Sequence, residues 1–315
     1  MKLWQKAAAL AALTLGMAIG GPAFAADDAK RPQKDLVLKG DARCTACHDE
    51  ADEPKLLAIG KSKHGTKGDP RTPTCRDCHK ESDKHADHKG KDKPPKTDIY
   101  FSKDSTVPAK ERDAVCQSCH QGGNRMHWES SAHSANGVTC TSCHKVHTQH
   151  DKVRDKKEQT EVCFTCHKNQ RAESYKASHH AMREGKVTCS SCHNTHGSTG
   201  PKQLIKNTVN ETCYTCHTEK RGPFLFEHPV ASDNCMNCHN SHGSNNPSLL
   251  KARQPYLCSQ CHDFTQHPGN PYSGRGLPTT AGGTAPAQQL LLRSCASCHT
   301  QVHGTNHPSG ARYTR

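Results

Sequence analysis

Twenty cysteines in a chain of 315 residues fall without remainder into ten C-x-x-C pairs, and a histidine follows every pair. The pairs are Cys44/Cys47, Cys75/Cys78, Cys116/Cys119, Cys140/Cys143, Cys163/Cys166, Cys189/Cys192, Cys213/Cys216, Cys235/Cys238, Cys258/Cys261 and Cys295/Cys298. The histidines are His48, His79, His120, His144, His167, His193, His217, His239, His262 and His299. With 25 histidines in the chain, chance would place one after all ten pairs with a probability on the order of 10^-11. Disulfide frameworks and zinc ribbons also use paired cysteines, but neither needs histidine at the next position. C-x-x-C-H is the attachment signature of c-type haem: the two thiols form thioethers with the vinyl groups, and the histidine lies under the iron as proximal ligand. The motifs therefore predict ten covalently bound c-type haems.

Haem also accounts for an otherwise unfoldable composition. Only 32% of the residues are hydrophobic and 4% aromatic, against roughly 45–50% apolar in an ordinary globular domain. Ten flat, mostly apolar macrocycles supply the interior that the side chains cannot. Apolar periodicity is weak, so the expected fold is short helices and coil around a chain of stacked haems, with almost no sheet. The stretch KESDKHADHKGKDKPPKTD reads as a solvated linker, and PGNPYSGRGLPTTAGGTAPAQQ as an irregular loop. A boundary between His167 and Cys189 leaves five motifs on either side, giving halves at 26–178 and 179–315. Before them, MKLWQK, the apolar run from Ala7 to Ile19 and the Ala23-Phe24-Ala25 site have the form of a secretory leader over residues 1–25. That run is shorter than the ~20 residues of a membrane span.

Once Lys2 and Lys6 leave with the leader, 41 Lys plus Arg face 30 Asp plus Glu. A basic chain invites nucleic acid. Two propionates per haem, set against one net positive charge on each ferric macrocycle, contribute about -10 over ten haems and absorb that excess. Nucleic acid is accordingly not an expected partner.

A second set of histidines recurs with the motifs. In VTCTSCHKVH, His147 follows His144 by three residues. Two imidazoles on opposite sides of one iron place their alpha carbons about 12–13 Å apart, whereas three residues reach only about 10 Å. His147 must therefore serve another iron, and a neighbouring haem stapled into near contact is the expectation. The same unit repeats as an upstream histidine, a motif, a histidine just beyond it and a second motif. Four units have this form, a fifth carries a single motif and the solitary first motif completes the ten; the five units supply ten distal candidates: His64 and His85, His133 and His147, His179 and His196, His228 and His242, His267 and His303. His180, His88 and His307 are the alternatives to His179, His85 and His303. HGT after His303 matches HGS after His196 and His242, which favours His303. His127 and His150 fall outside the pattern.

On its ten motifs, the spacing of its extra histidines, the segment TCYTCHTEKRGP and the ending CHTQVHGTNHPSG, the chain resembles the periplasmic decahaem cytochromes of the MtrA/DmsE/PioA group, MtoA-like iron-oxidation relatives included. The resemblance covers essentially the whole mature chain. It implies two tandem pentahaem halves, bis-histidine iron and a periplasmic electron wire associated with the outer membrane. Its implied partners are an outer-membrane beta-barrel porin, periplasmic or inner-membrane cytochromes and an extracellular donor, acceptor or multihaem cytochrome. Flow in either direction fits, outward for metal reduction or inward for ferrous iron oxidation. Two competing readings are a diffusible periplasmic shuttle and a multihaem reductase. The reductase needs an iron with an open position, and the lysine-ended motif C-x-x-C-K that often marks one does not occur. The intact mass of the mature protein is expected to equal the polypeptide plus ten covalent haems; a stable form with free thiols and fewer haems would contradict the motif reading.

Overall fold

Even-numbered and odd-numbered motifs, counted along the chain, start from different local structures. The second, fourth, sixth and eighth motifs each open a short helical turn: Cys75–His79, Cys140–Cys143, Cys189–Ser191 and Cys235–Asn237. The residue just before the first cysteine is Thr74, Thr139, Thr188 or Asn234, a type that caps orphan helix N–H groups. The first, third, fifth, seventh and ninth motifs instead run through the end of a helix: Ala42–Thr45, Ala109–Gln117, Gln159–Phe164, Val209–Cys213 and Tyr256–Ser259. These features come from a computed structural model that describes residues 41–262 except 67, and 294–310 except 298.

Among the described residues there is no strand, only the isolated bridges Ser178–Ser244, His193–Leu204, Phe226–Thr305 and His239–Leu250. The longest helix described is Ala109–Gln117. The buried apolar side chains described are Leu57, Ile99, Trp128, Phe164 and Met182, outnumbered by buried Asp, Asn, Ser and Thr. This is the interior of a protein that packs against something other than its own side chains. The KESDK stretch is more ordered than a solvated linker: Asp83–Ala86 is helical, and Ser82 N–H donates to Asp98 Oδ2 at 3.0 Å. The loop expected from PGNPY onward, and His267 beside it, lie outside the described residues.

Successive repeat units dock on one another through main-chain bonds and through side-chain amides that bond main chain. Ser178 and Ser244 exchange N–H···O bonds of 2.9 and 2.8 Å, and Phe226 and Thr305 exchange bonds of 3.0 and 2.9 Å. Ala132 N–H donates to Gln203 Oε1 at 2.8 Å, and Asn194 Nδ2 to Asn124 O at 2.8 Å. Contacts of this kind span the expected boundary between residues 178 and 179. They also explain the glycine after the downstream histidines. Gly197 has φ +99° and Gly304 φ +118°, and an added Cβ would run into the His127 carbonyl or the Phe224 ring of the preceding unit. Gly197→Ala is therefore expected to lose about 2 kcal/mol or more of stability, read as a lower thermal midpoint. Gly122→Ala, at φ +70° with open space around it, should lose only the smaller backbone part.

Candidate functional site

The second, fourth, sixth and eighth C-x-x-C-H turns aim their histidines by one means, a hydrogen bond at Nδ1 that leaves Nε2 as the free nitrogen. His79 Nδ1 donates to Ile99 O at 2.8 Å, His193 to Lys202 O at 2.9 Å and His239 to Ser248 O at 2.8 Å. In the last two, the accepting carbonyl belongs to a non-glycine residue with positive φ, 52° at Lys202 and 54° at Ser248. Strained backbone is kept where its carbonyl orients a functional ring. His144 differs: its Nδ1 meets the Asp151 carboxylate at 2.7 Å. A carboxylate acceptor makes the imidazole a more basic ligand than a peptide carbonyl does.

The motif histidines face the second set in pairs. Ring centroids are 6.0 Å apart for His48 and His85, 5.9 Å for His64 and His120, and 6.2 Å for His79 and His147. They are 6.0 Å apart for His133 and His167, 6.2 Å for His144 and His196, and 6.4 Å for His180 and His217. They are 6.3 Å apart for His193 and His242, and 6.1 Å both for His228 with His262 and for His239 with His303. Rings touching face to face would be nearer, with carbons about 3.5–4 Å apart. An iron between two Nε2 atoms, each about 2.0–2.1 Å away, sets the centroids about 6.4 Å apart. The interplanar angles range from 2° to 90°, as rotation about a metal–nitrogen axis permits. The residues thus fit an iron held from both faces.

Burial lowers the pKa of His64, His79, His120, His196, His242 and His303 below the ordinary histidine value. Desolvation disfavours the imidazolium and leaves the neutral ring, whose lone pair can bind a metal. The sulfurs line up in motif order. Cys116 hydrogen-bonds Cys140 and raises its pKa, Cys189 does the same to Cys163, and Cys213 to Cys235. Burial followed by the nearby Asp41 carboxylate pushes the Cys75 thiol up to about 12, and Cys44 lies against it. Burial is also the main cause raising Cys78, beside Cys116; Cys143, beside Cys166; Cys192, beside Cys216; and Cys238, beside Cys261. In a haem-loaded chain these sulfurs would be thioethers, and the hydrogen-bonded pairs place the first attachment point of each odd motif beside that of the next even motif.

Spacing makes the two cysteines of a motif equivalent, and the structure separates them. Cys47, Cys119, Cys166, Cys216 and Cys261, the second cysteines of the odd motifs, are exposed, whereas the other described cysteines are half-buried. The reason is local. In the odd motifs the helix ends before the second cysteine, at Thr45 ahead of Cys47 and at Gln117 ahead of Cys119, which leaves that residue on the turn leaving the helix. In the even motifs the second cysteine lies within the helical turn, as Cys78 and Cys143 do, or is its C-cap, as Cys192 and Cys238 are, one position nearer the turn than Cys47 or Cys119. Cys298, the second cysteine of the tenth motif, lies outside the described residues, so its attachment role stands on the motif alone.

The distal histidines follow a rule that spacing alone does not disclose. Within a unit the upstream histidine faces the second motif, as His133 faces His167. The downstream histidine reaches back to the first motif of the preceding unit, as His196 reaches His144. His147 accordingly faces His79, two motifs back, rather than the adjacent motif expected of it. The two roles are tied through one peptide. His133, His180 and His228 donate Nδ1–H to the carbonyls of Thr195, Ser241 and Val302, the residues just before His196, His242 and His303.

His179 is corrected. His180 faces His217, while His179 donates Nδ1–H to Lys176 O at 2.7 Å and accepts from Arg183 Nη2 at 3.2 Å. His85 faces His48 while His88 contacts Asp92, and His303 faces His239 while His307 contacts Ser309. His150 pairs with Glu158, and neither it nor His127 is among the facing rings described.

Residues 179–222 and 228–267 match the family described as doubled CXXCH motif, and residues 75–159 match the cytochrome c-type protein NrfB-like family. The chain is 44% identical over 288 residues to multiheme cytochrome MtrA of Shewanella baltica, covering 90% of this chain and 84% of that protein. It is 27% identical over 188 residues to cytochrome c-type protein NrfB of Haemophilus influenzae, covering 50% and 82%. In haem-loaded protein, His180→Ala is expected to create one high-spin iron and His179→Ala none, read by electron paramagnetic resonance and optical spectra.

Proposed function

The chain belongs to the MtrA family of multihaem c-type cytochromes, and from that premise we propose that it is a decahaem conduit carrying electrons between periplasmic carriers and the cell exterior through an outer-membrane barrel. Electron transfer with covalently bound c-type haem is the activity of the family. Bound at these motifs, haem iron supplies a one-electron ferric–ferrous couple.

The observation that carries the proposal is the set of nine facing imidazole pairs among the described residues. We assign the motif histidines as proximal ligands and His85, His147, His64, His196, His133, His242, His180, His303 and His228 as their distal partners, for the first through ninth motifs in turn. His267, the remaining distal candidate, goes to His299 of the tenth. Both cysteines of every motif are assigned to thioethers, the exposed Cys47 and Cys119 and the tenth motif's Cys298 included. An iron held by two such rings has no position for a substrate, which favours electron transfer over reduction chemistry at any of those nine centres. Attachment sulfurs hydrogen-bonded from each odd motif to the next even one, and electrostatically coupled from each of four even motifs to the odd one after it, support the continuity that a conduit needs.

Among the described residues no helix is long and apolar enough to cross a membrane. A barrel would supply the insulation: its outer face meets lipid, and its lumen accepts polar protein. Vesicles carrying this cytochrome and an outer-membrane barrel from the same host are expected to pass electrons between an enclosed redox dye and an external iron species. Barrel alone should not. A cytochrome that stays fully soluble, finds no barrel in its host and adds no transfer to such vesicles would instead be a periplasmic shuttle.

A further inference from the structure

Each even-numbered motif begins with a helical turn too short to satisfy its own first N–H groups. The capping residue serves part of this need: Thr74 Oγ1, for example, accepts from Asp77 N at 3.3 Å. The N–H at or just after the first cysteine finds its acceptor elsewhere, on the odd-numbered motif before it. Cys75 N–H donates to Asp41 Oδ1 at 2.6 Å, Cys140 N–H to Asp113 Oδ1 at 2.9 Å, and Cys235 N–H to Asn210 Oδ1 at 2.8 Å. Ser190 N–H donates to Gln159 Oε1 at 3.2 Å, and Ala296 N–H to Gln254 Oε1 at 3.1 Å. These are all five steps from an odd motif to the next even one.

The acceptors obey a length rule. Asp41, Asp113 and Asn210 stand three residues before the first cysteine of their motif, whereas Gln159 and Gln254 stand four before it. The extra methylene of glutamine makes up for the extra residue of setback. Asp41, Asp113 and Asn210 are 1%, 4% and 7% exposed, so these bonds are shielded from water. Ordinary helix capping would be met by a local side chain, but these acceptors lie 25 to 42 residues away in sequence.

We propose that Asp41, Asp113, Gln159, Asn210 and Gln254 are positioning residues, each latching its own haem-attachment helix onto the first turn of the next motif and so fixing the geometry of that haem pair. The proposal rests on the multihaem electron-transfer reading and holds whether or not the chain works inside a barrel. The latch joins each odd motif to the even one after it. The histidine-to-carbonyl ties at Thr195, Ser241 and Val302 join even motifs to the odd ones that follow.

The test compares haem-loaded wild type with Asp41→Ala, Asp41→Asn and Asn210→Ala. Haem content is read by mass, exchange of the peptides holding Cys75 and Cys235 by deuterium uptake, and magnetic interaction between neighbouring irons by electron paramagnetic resonance. Asp41→Ala should keep its haems, exchange about tenfold faster at the Cys75 segment, and change the magnetic interaction of the first haem pair. Asp41→Asn keeps Oδ1 and should restore both. Asn210→Ala should move the Cys235 segment and leave the Cys75 segment alone, which provides the test should Asp41→Ala not fold. Unchanged exchange and unchanged magnetic interaction in the alanine variant that folds would overturn the latch, as would failure of Asp41→Asn to restore both. Loss of the wild-type transmembrane current would remove the conduit and leave these readings standing.

Discussion

Facing imidazole rings with centroids 5.9 to 6.4 Å apart, many of them fixed by a hydrogen bond at Nδ1, form the constraint on which this molecule depends. A metal between them accepts little error in distance or direction. The backbone therefore organises itself around where each Nδ1 bond must end: Ile99 O, Lys202 O, Ser248 O, and the carbonyls ahead of the downstream histidines. Left-handed backbone at Lys202 and Ser248, and glycine after His196 and His303, follow from the same need. Asp151 is the exception, a carboxylate in a carbonyl's place, and makes His144 electronically different from its counterparts.

The interior is polar for the same reason. Buried Asp113 holds Trp128 Nε1 at 2.9 Å through one oxygen and Cys140 N–H through the other. A carboxylate so placed is a costly way to build a core and an effective way to hold two attachment turns together. Among the described residues the few buried apolar side chains do not form a conventional core, and covalent attachment lets so short a stretch of chain retain each cofactor.

Much of this was legible from residues alone. C-x-x-C-H names the candidate attachment points, and the reach argument sets His147 apart from His144, whose ring it does not face; it faces His79. The reach argument could not choose His79, because sequence distance excludes partners without selecting among distant ones. Nor could the motif tell exposed Cys47 and Cys119 from half-buried Cys78 and Cys143, since that difference depends on where the helix stops. Choosing between His179 and His180 depends on which ring points toward His217, decided by Ser241 O sixty-one residues downstream. The latch residues escaped notice because two chemistries at two offsets, Asp or Asn at three and Gln at four, make no single motif. Their signal was present as an amide or carboxylate ahead of every odd motif, but its meaning appears only when the partner N–H is seen.

The hand-back of histidines between units also bears on how such a chain can change its length. Each unit contacts its neighbours, takes one ring from its successor and gives one to its predecessor, like a repeat protein whose stability is a sum of nearest-neighbour terms. A whole unit inserted between two others brings two motifs and two further histidines, and every exchange closes again. On the ligand assignment proposed above, a chain of this design would grow or shrink by evolution in steps of two haems. On the same assignment, a break inside a unit would leave one motif histidine on each side of the cut without its facing ring.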